Sequence, residues 1–259
     1  MTGDRGIGSQ LSEGQVEDFA RNGWLFLPGF FDPAQIREIT AWTDEIAAWP
    51  EIPGRHMVYK EESQRRNEGR ILQRIEDLTP YHAGFRSLFT DGSLLEAVSQ
   101  LLGEKAVLFK DKINFKLPGG GGFKVHQDAQ AGWHSYADFF ISALVSIDRS
   151  SAENGCLEMA SGWHRDGLIG KEWEPLSEDL AAKMDFMALP TDPGDVVLFD
   201  CYAPHRSGDN LTDDPRRLLY VTYNRASQGD HRARYFADKR EAFPPDIERE
   251  PGKVYVFRV

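Results

Sequence analysis

Val125-His126-Gln127-Asp128, followed at a distance by Gly194-Asp195-Val196-Val197-Leu198-Phe199 and then Pro204-His205-Arg206-Ser207-Gly208, is the part of this chain that decides its reading. If residues 123 to 128 are extended, successive side chains alternate between faces, so His126 and Asp128 project together while Gln127 points away. Two imidazoles and one carboxylate, with the third ligand on a distant strand end, form a facial triad for Fe(II) that leaves coordination positions open. An isolated H-x-D is common by chance, and a lone strand histidine is more often hydrogen-bonded than ligating. The distal half therefore carries the weight: a G-D-x-x-x-F strand runs into P-H-x-S-G-x-N, with Arg216 eleven residues beyond His205 at the start of another apolar strand.

Upstream of the first pair, Ala106 to Leu117 alternates as a strand. Lys110, Lys112, Asn114 and Lys116 then share one face, and Phe109, Ile113, Phe115 and Leu117 form the apolar set. A solvated lysine face fits this pattern, and so does a lumen-facing set that holds anions while the apolar set packs outward. Pro118 to Gly122 carries four consecutive glycines and lacks a lysine-serine helix start, so it reads as a hinge before the metal strand rather than a phosphate cradle.

Helices gather in the first half. Ser12-Glu13-Gly14-Gln15 is a capping box, with Val16, Phe19 and Ala20 on one face before Gly23. Asp32 and Pro33 offer an N-cap and an N1 proline to a second helix bearing Ile36, Ile39, Thr43 and Ile46 and ending by Pro50. Residues 51 to 80 are charged and weakly periodic and read as a long loop or lid with no assigned chemistry. Ser93 to Leu102 is helical and closes on Gly103. Strands are expected at Asp138 to Asp148, at Cys156 to Ala160 after the Glu153-Asn154-Gly155 turn, at Asp195 to Asp200 and at Arg217 to Asn224, with a helical insertion at Leu176 to Phe186. The end from Ser227 to Val259 reads as a charged extension over the surface. This pattern is mainly β with flanking helices, an antiparallel double sheet of jelly-roll type, and propensity alone leaves sandwich and barrel undecided.

With 259 residues, 41% hydrophobic and 12% aromatic, the chain can bury one sizeable core. The expectation is one domain over 1–259, with bracing helices at 12–50, a barrel at 106–225 and an extension at 226–259. A formal charge of −11 opposes nonspecific attraction to nucleic acid or anionic membranes. Cys156 and Cys201 are the two cysteines, no apolar run approaches about 18 residues, and no leader-like segment precedes the first helix, so a cytoplasmic protein with free thiols and a small-molecule partner is expected.

The chain resembles the phytanoyl-CoA dioxygenase family of Fe(II)/2-oxoglutarate oxygenases. The likeness rests on His126-Gln127-Asp128, Glu153-Asn154-Gly155-Cys156-Leu157, Gly162-Trp163-His164, Gly194-Asp195, His205-Arg206-Ser207-Gly208-Asp209-Asn210 and Arg216, and spans residues 12 to 225. The resemblance implies a double-stranded β-helix (a cupin-like barrel), Fe(II) on His126, Asp128 and His205, and O2 with 2-oxoglutarate as cosubstrates. Arg216 aligns with the family's arginine for the far carboxylate, which suits a bidentate guanidinium. Asn114, one of the strand lysines and Ser207 are further cosubstrate candidates. Gln127, Trp133, Lys112 and Lys116 are candidates for the substrate, with Tyr136 beside them. Retention of Asp128 distinguishes the chain from related halogenases, which have a small residue there, and makes hydroxylation the expected outcome, with succinate and CO2 released. The run Lys112-Ile113-Asn114-Phe115-Lys116-Leu117-Pro118-Gly119-Gly120 is similar to bacterial members acting on aminoalkylphosphonates, which implies a small anionic or zwitterionic substrate. The competing expectations are a silent cupin-like protein that binds metal and 2-oxoglutarate, and a hydroxylase of an acyl-CoA, amino acid or natural product.

Overall fold

The structure, a computed structural model, describes residues 10–66 and 68–255. Its strands are β1 (Trp24–Leu27), β2 (Met57–Glu62), β3 (Arg70–Glu76), β4 (Ala106–Lys116), β5 (Phe123–His126), β6 (Phe140–Ser146), β7 (Leu157–Ala160), β8 (Phe186–Leu189), β9 (Val196–Asp200), β10 (His205–Ser207) and β11 (Arg216–Arg225). They form a seven-stranded sheet in the order β1-β9-β6-β11-β4-β3-β2 and a four-stranded sheet in the order β5-β10-β7-β8. Every pairing is antiparallel. The two sheets make the double-stranded β-helix implied by the resemblance, which settles the choice that propensity left open.

Helices α1 (Glu13–Asn22), α2 (Pro33–Ala47), α3 (Ala83–Thr90) and α4 (Ser93–Leu102) precede β4. The start signals hold: Ser12 and Gln15 close a capping box, and Asp32 caps α2 with Pro33 behind it. Ile36, Ile39, Thr43 and Ile46 are the buried stripe of α2. The main core lies between these helices and the outer face of the large sheet, where Ile39, Phe85, Val98, Ile113, Val145 and Leu219 meet. A second cluster, including Leu144, Met159, Phe199 and Leu218, fills the space between the sheets.

Five expectations need correction. Residues 51–80 are no loop: β2 and β3 form a hairpin that extends the large sheet, with Arg74, Ile75 and Glu76 paired to β4. The reason it looked like a loop is that Arg74 and Glu76 point inward while Ile75 points out to the helices, so charge occupies the face where alternation leads one to expect apolar residues. In β4, Thr222 pairs with Lys110 and Tyr223 with Leu108, so Phe109 is bulged. It joins Trp133 and Phe140 inside rather than Ile113 outside. The glycine tract is tied down by Gly119 N–H to Asn210 O (2.8 Å), Asn210 N–H to Gly120 O (2.9 Å) and Gly122 N–H to Asp209 (2.6 Å), and a Cβ on Gly122 would meet the Ser207 carbonyl at 2.4 Å. Close approach, not hinging, explains the glycine there. Finally, Leu176 to Phe186 contains only the short α5 (Glu178–Ala181), and the C-terminal segment holds α6 (Arg232–Ala242), which packs on β4. Cys156 and Cys201 are free and buried, and no described helix is long and apolar enough to cross a membrane.

Candidate metal centre

His205 of β10 is the register partner of His126 at the end of β5, which brings their ring centroids to 4.2 Å. The strand ends at His126 and Asp128 opens a 3-10 turn, yet Gln127 between them stays extended (φ −106°, ψ 135°), so the i, i+2 geometry survives. His126 Nε2 lies 4.0 Å and His205 Nε2 3.9 Å from Asp128 Oδ1, and one ligand atom from each residue falls within 4.8 Å of the others. Carbonyl groups fix the tautomers. Nδ1 of His126 contacts Lys124 O at 2.7 Å and Nδ1 of His205 contacts Ala203 O at 3.0 Å; a carbonyl can only accept, so Nδ1 carries the proton and Nε2 presents its lone pair. Ser142 Oγ donates to Asp128 Oδ2 at 2.9 Å and also pairs with Thr222, anchoring the carboxylate to the large sheet.

Burial, then the neighbouring His205, push the His126 imidazole down to about 3, and burial lowers His205 as well. For Asp128, burial raises the carboxyl, but His205, Lys110, His126 and Lys112 outweigh it and hold it at about 2. Two neutral imidazoles beside one carboxylate can hold a single metal ion and leave positions for exchangeable ligands.

From this cluster an interior row runs along β4 and β11. Lys110 pairs with Thr222, Lys112 with Tyr220, Asn114 with Leu218 and Lys116 with Arg216. At about 6.6 Å per two residues, Arg216 lies some way down the barrel from the level of Asp128. Its guanidinium is 1% exposed and hydrogen-bonds Tyr220, while Nε and Nη1 have no partner; Asn114 Oδ1 is likewise buried and unpartnered. Arg217 points to the other face and pairs with Asp148 (2.7 Å) and Asp44. Asn114, Ser207 and Tyr220 line a narrow inner recess of about 30 Å³ next to the metal cluster.

A larger outer cavity of about 340 Å³ opens on the other side of His126 and Asp128. Lys110, Lys112 and Trp133 line it, joined by Arg74 and Glu76 from β3 and by Tyr235 and Lys239 from α6. Glu76, 1% exposed, takes Arg74 Nε at 2.6 Å and Lys239 Nζ at 2.5 Å. Burial would raise the Glu76 carboxyl, yet Lys239 and Arg74 hold it below the usual range, and burial leaves the Lys239 ammonium at about 8.

The sequence-derived candidates thus divide. His126, Asp128 and His205 converge; Asn114 and Ser207 line the inner recess, with Arg216 behind it, bonded to Tyr220 of its lining; Lys112 and Trp133 reach the outer cavity. Gln127 does not reach it: fully buried, it donates to Gly167 O and Tyr202 O (both 2.7 Å) and accepts from Ile169 N (2.9 Å), so all of its amide is spent on holding loops. Lys116 lines neither cavity and instead donates to Ser207 Oγ at 2.8 Å and to Gly208 O, beside Arg216. Its place in the row puts it at the far end from the outer cavity. His134 pairs with Glu172 at the surface (2.6 Å). Arg74, Glu76, Tyr235 and Lys239 were not anticipated. The Arg-Ile-Glu alternation in β3 was the available signal for the first two; α6 carried none, because its residues reach the cavity only through tertiary packing.

A family model described as phytanoyl-CoA dioxygenase (PhyH) matches residues 19–218. The chain is 44% identical to a 2-aminoethylphosphonate dioxygenase from an uncultured bacterium (HF130_AEPn_1), over 95% of this chain and 94% of the relative. It is 36% identical to a methylphosphonate hydroxylase from Gimesia maris, over 92% and 90%. Among solved structures it is similar to EctD from S. alaskensis with 2-oxoglutarate and 5-hydroxyectoine (TM-score 0.73, 21% identity, 100% of this chain and 88% of that one). A comparable match is the epimerase SnoN with Fe3+, alpha ketoglutarate and nogalamycin RO (TM-score 0.72, 21% identity, 95% and 96%).

Proposed function

Because this chain belongs to the phytanoyl-CoA dioxygenase family, we propose that it is an Fe(II)- and 2-oxoglutarate-dependent dioxygenase that hydroxylates a C–H bond of a small phosphonate, with release of succinate and CO2. One observation carries the reading: a single interior row has an incompletely paired, buried guanidinium at one end and three converging metal-ligand atoms at the other. The donor set suits iron, since two imidazoles and a carboxylate leave room for a bidentate cosubstrate and O2. The unpaired Nε and Nη1 of Arg216 suit a carboxylate, because a buried cation is costly until an anion completes it.

Bound iron supplies O2 activation coupled to decarboxylation of the keto acid, and with it the oxidising power for the C–H bond. The chain's residues do the rest. The two Nδ1–H donors and Ser142 hold the ligand atoms facing the centre. Arg216, with Ser207 and Lys116 beside it, takes the far carboxylate of 2-oxoglutarate, and Asn114 flanks its path. Trp133, backed by Phe109 and Phe140, gives the cavity an apolar side that keeps water from the reacting carbon.

The phosphonate assignment rests on charge together with kinship. Arg74, Lys110, Lys112 and Lys239 face the outer cavity near the metal cluster against Glu76 as the one acid besides Asp128, while Arg234 and Asp238 at the rim offset each other. That surplus of cations in a largely buried floor favours a compact anion. The two relatives at 44% and 36% identity are named for phosphonate substrates.

The test is succinate release by anaerobically iron-loaded protein supplied with O2, 2-oxoglutarate and, separately, 2-aminoethylphosphonate, methylphosphonate, ectoine and an acyl-CoA. Succinate matched one to one by a hydroxylated phosphonate is expected. Turnover with ectoine or the acyl-CoA but with neither phosphonate would overturn the substrate class; no succinate with any of them would favour a silent binding protein.

A further inference from the structure

Lys110 and Lys112 sit two residues apart on one strand face, and both border the two cavities. Lys110 is buried and Lys112 half-buried, and neither has a hydrogen-bond or ion-pair partner among the described residues. Their surroundings differ. Lys110 Nζ lies 4.0 Å from the centroid of the Trp133 ring and 5.9 Å from that of Tyr235, two aromatics of the outer cavity. Lys112 Nζ lies 5.1 Å from the centroid of Tyr220, the residue bonded to Arg216.

Register gives the same division independently. Lys110 is level with Thr222, which pairs with Ser142 and through it with Asp128, so this lysine stands at the height of the metal cluster. Lys112 is level with Tyr220, one step closer to Arg216, within the stretch a cosubstrate must cross to reach from the metal to the guanidinium. Lys110, Lys112 and Arg206 are the long flexible side chains lining the inner recess, and Lys112 is the one level with Tyr220.

We propose that the two lysines serve two different anions: Lys110 binds the substrate's phosphonate in the outer cavity, and Lys112 turns inward to pair with 2-oxoglutarate. The inference rests on the proposed function and adds the residue that sets substrate affinity. The aromatic rings hold the Lys110 side chain in place, and charge-assisted hydrogen bonds from its protonated form to the phosphonate oxygens replace the solvent it lacks.

The experiment is calorimetric titration of Fe(II)-loaded protein without O2, with 2-oxoglutarate and then with 2-aminoethylphosphonate, for wild type, Lys110→Met and Lys112→Met. Lys110→Met should weaken phosphonate binding by about tenfold or more and leave 2-oxoglutarate within about twofold. Lys112→Met should show the reverse. Replacing an unpaired buried ammonium by an isosteric apolar chain should leave the thermal midpoint unchanged or higher, so a folding defect would be visible as such; Lys110→Gln and Lys112→Gln, read in the same titrations, then supply the comparison. Wild type that binds 2-oxoglutarate but no phosphonate defeats the proposed substrate class and this inference together. Wild type that binds both, with Lys110→Met unchanged toward phosphonate or both variants weakened toward the same ligand, defeats the partition alone.

Discussion

At the Arg216 end of the barrel the proposed cosubstrate contacts come from β4, β10 and β11, whereas the wall beyond the metal cluster draws on a hairpin near the start of the chain and a helix near its end. The inner end is held between strands: Lys116 pairs with Arg216 across one ladder and reaches Ser207 on the facing sheet. The outer wall is held by ion pairs between a strand and a helix, Lys239 joining Arg74 on Glu76, and Arg232 Nη1 on the buried Asp111 at 2.5 Å. The contrast suggests a division of labour. On the proposed reading the ladder carries both the keto-acid end and Lys110, and β3 and α6 complete the wall around the substrate.

Several substitutions would break or sharpen that contrast. The largest effect should come where the two regions meet. His205→Ala removes a ligand both depend on, and iron-dependent succinate release should fall by roughly a thousandfold, with iron lost on equilibrium dialysis. Retained iron and activity would end the metal-centre reading. Next, Arg216→Ala should raise the KM for 2-oxoglutarate by about a hundredfold, on the order of 2–3 kcal/mol for a charge-assisted pair, and leave the KM for phosphonate nearly unchanged. An equal change in both constants would mean that the two ends do not act separately.

Glu76→Gln tests the outer wall. It leaves Arg74 and Lys239 without their shared carboxylate, at a cost of about 3 kcal/mol in stability, while the KM for 2-oxoglutarate should stay constant. The pH dependence has a definite sign. The Glu76 carboxyl is held below its ordinary value of about 4.3 in the folded state, so its contribution is fully present above that pH and is lost as pH falls toward the folded value. Acid denaturation curves should therefore show wild type losing stability below about pH 4.5, and Glu76→Gln lacking that component. Coincident acid limbs would remove the ion-pair account of the wall. The smallest effect is expected for Ser142→Ala, which frees Asp128 Oδ2 and should weaken iron binding by about tenfold without touching either anion directly.

Sequence pattern fixed much of the ladder. The i, i+2 placement of His126 and Asp128 follows from strand periodicity, and capping chemistry located the starts of α1 and α2 to the residue, because both are local consequences of backbone geometry. Arg216 was reached through family spacing. The β2–β3 hairpin was missed because its inward face is charged, and apolar periodicity is blind to a strand that buries an ion pair. Phe109 was assigned to the wrong face because a bulge reverses alternation without altering composition. Gln127 and Lys116 show the remaining difficulty: a polar residue near a motif is free for a ligand only if the fold has not already satisfied it, and here loop carbonyls and Ser207 had done so.

What the amino-acid order determined alone is the list of chemically competent groups and their local geometry: two imidazoles and a carboxylate, a row of polar side chains on one strand face, and helices with defined starts. Which of those groups stand unpaired toward a cavity was decided only by the tertiary structure, since it depends on partners brought in from residues 70–76 and 232–242. Hydrogen bonds and ion pairs saturate by proximity in space, and proximity between distant segments is set by packing rather than by spacing along the chain.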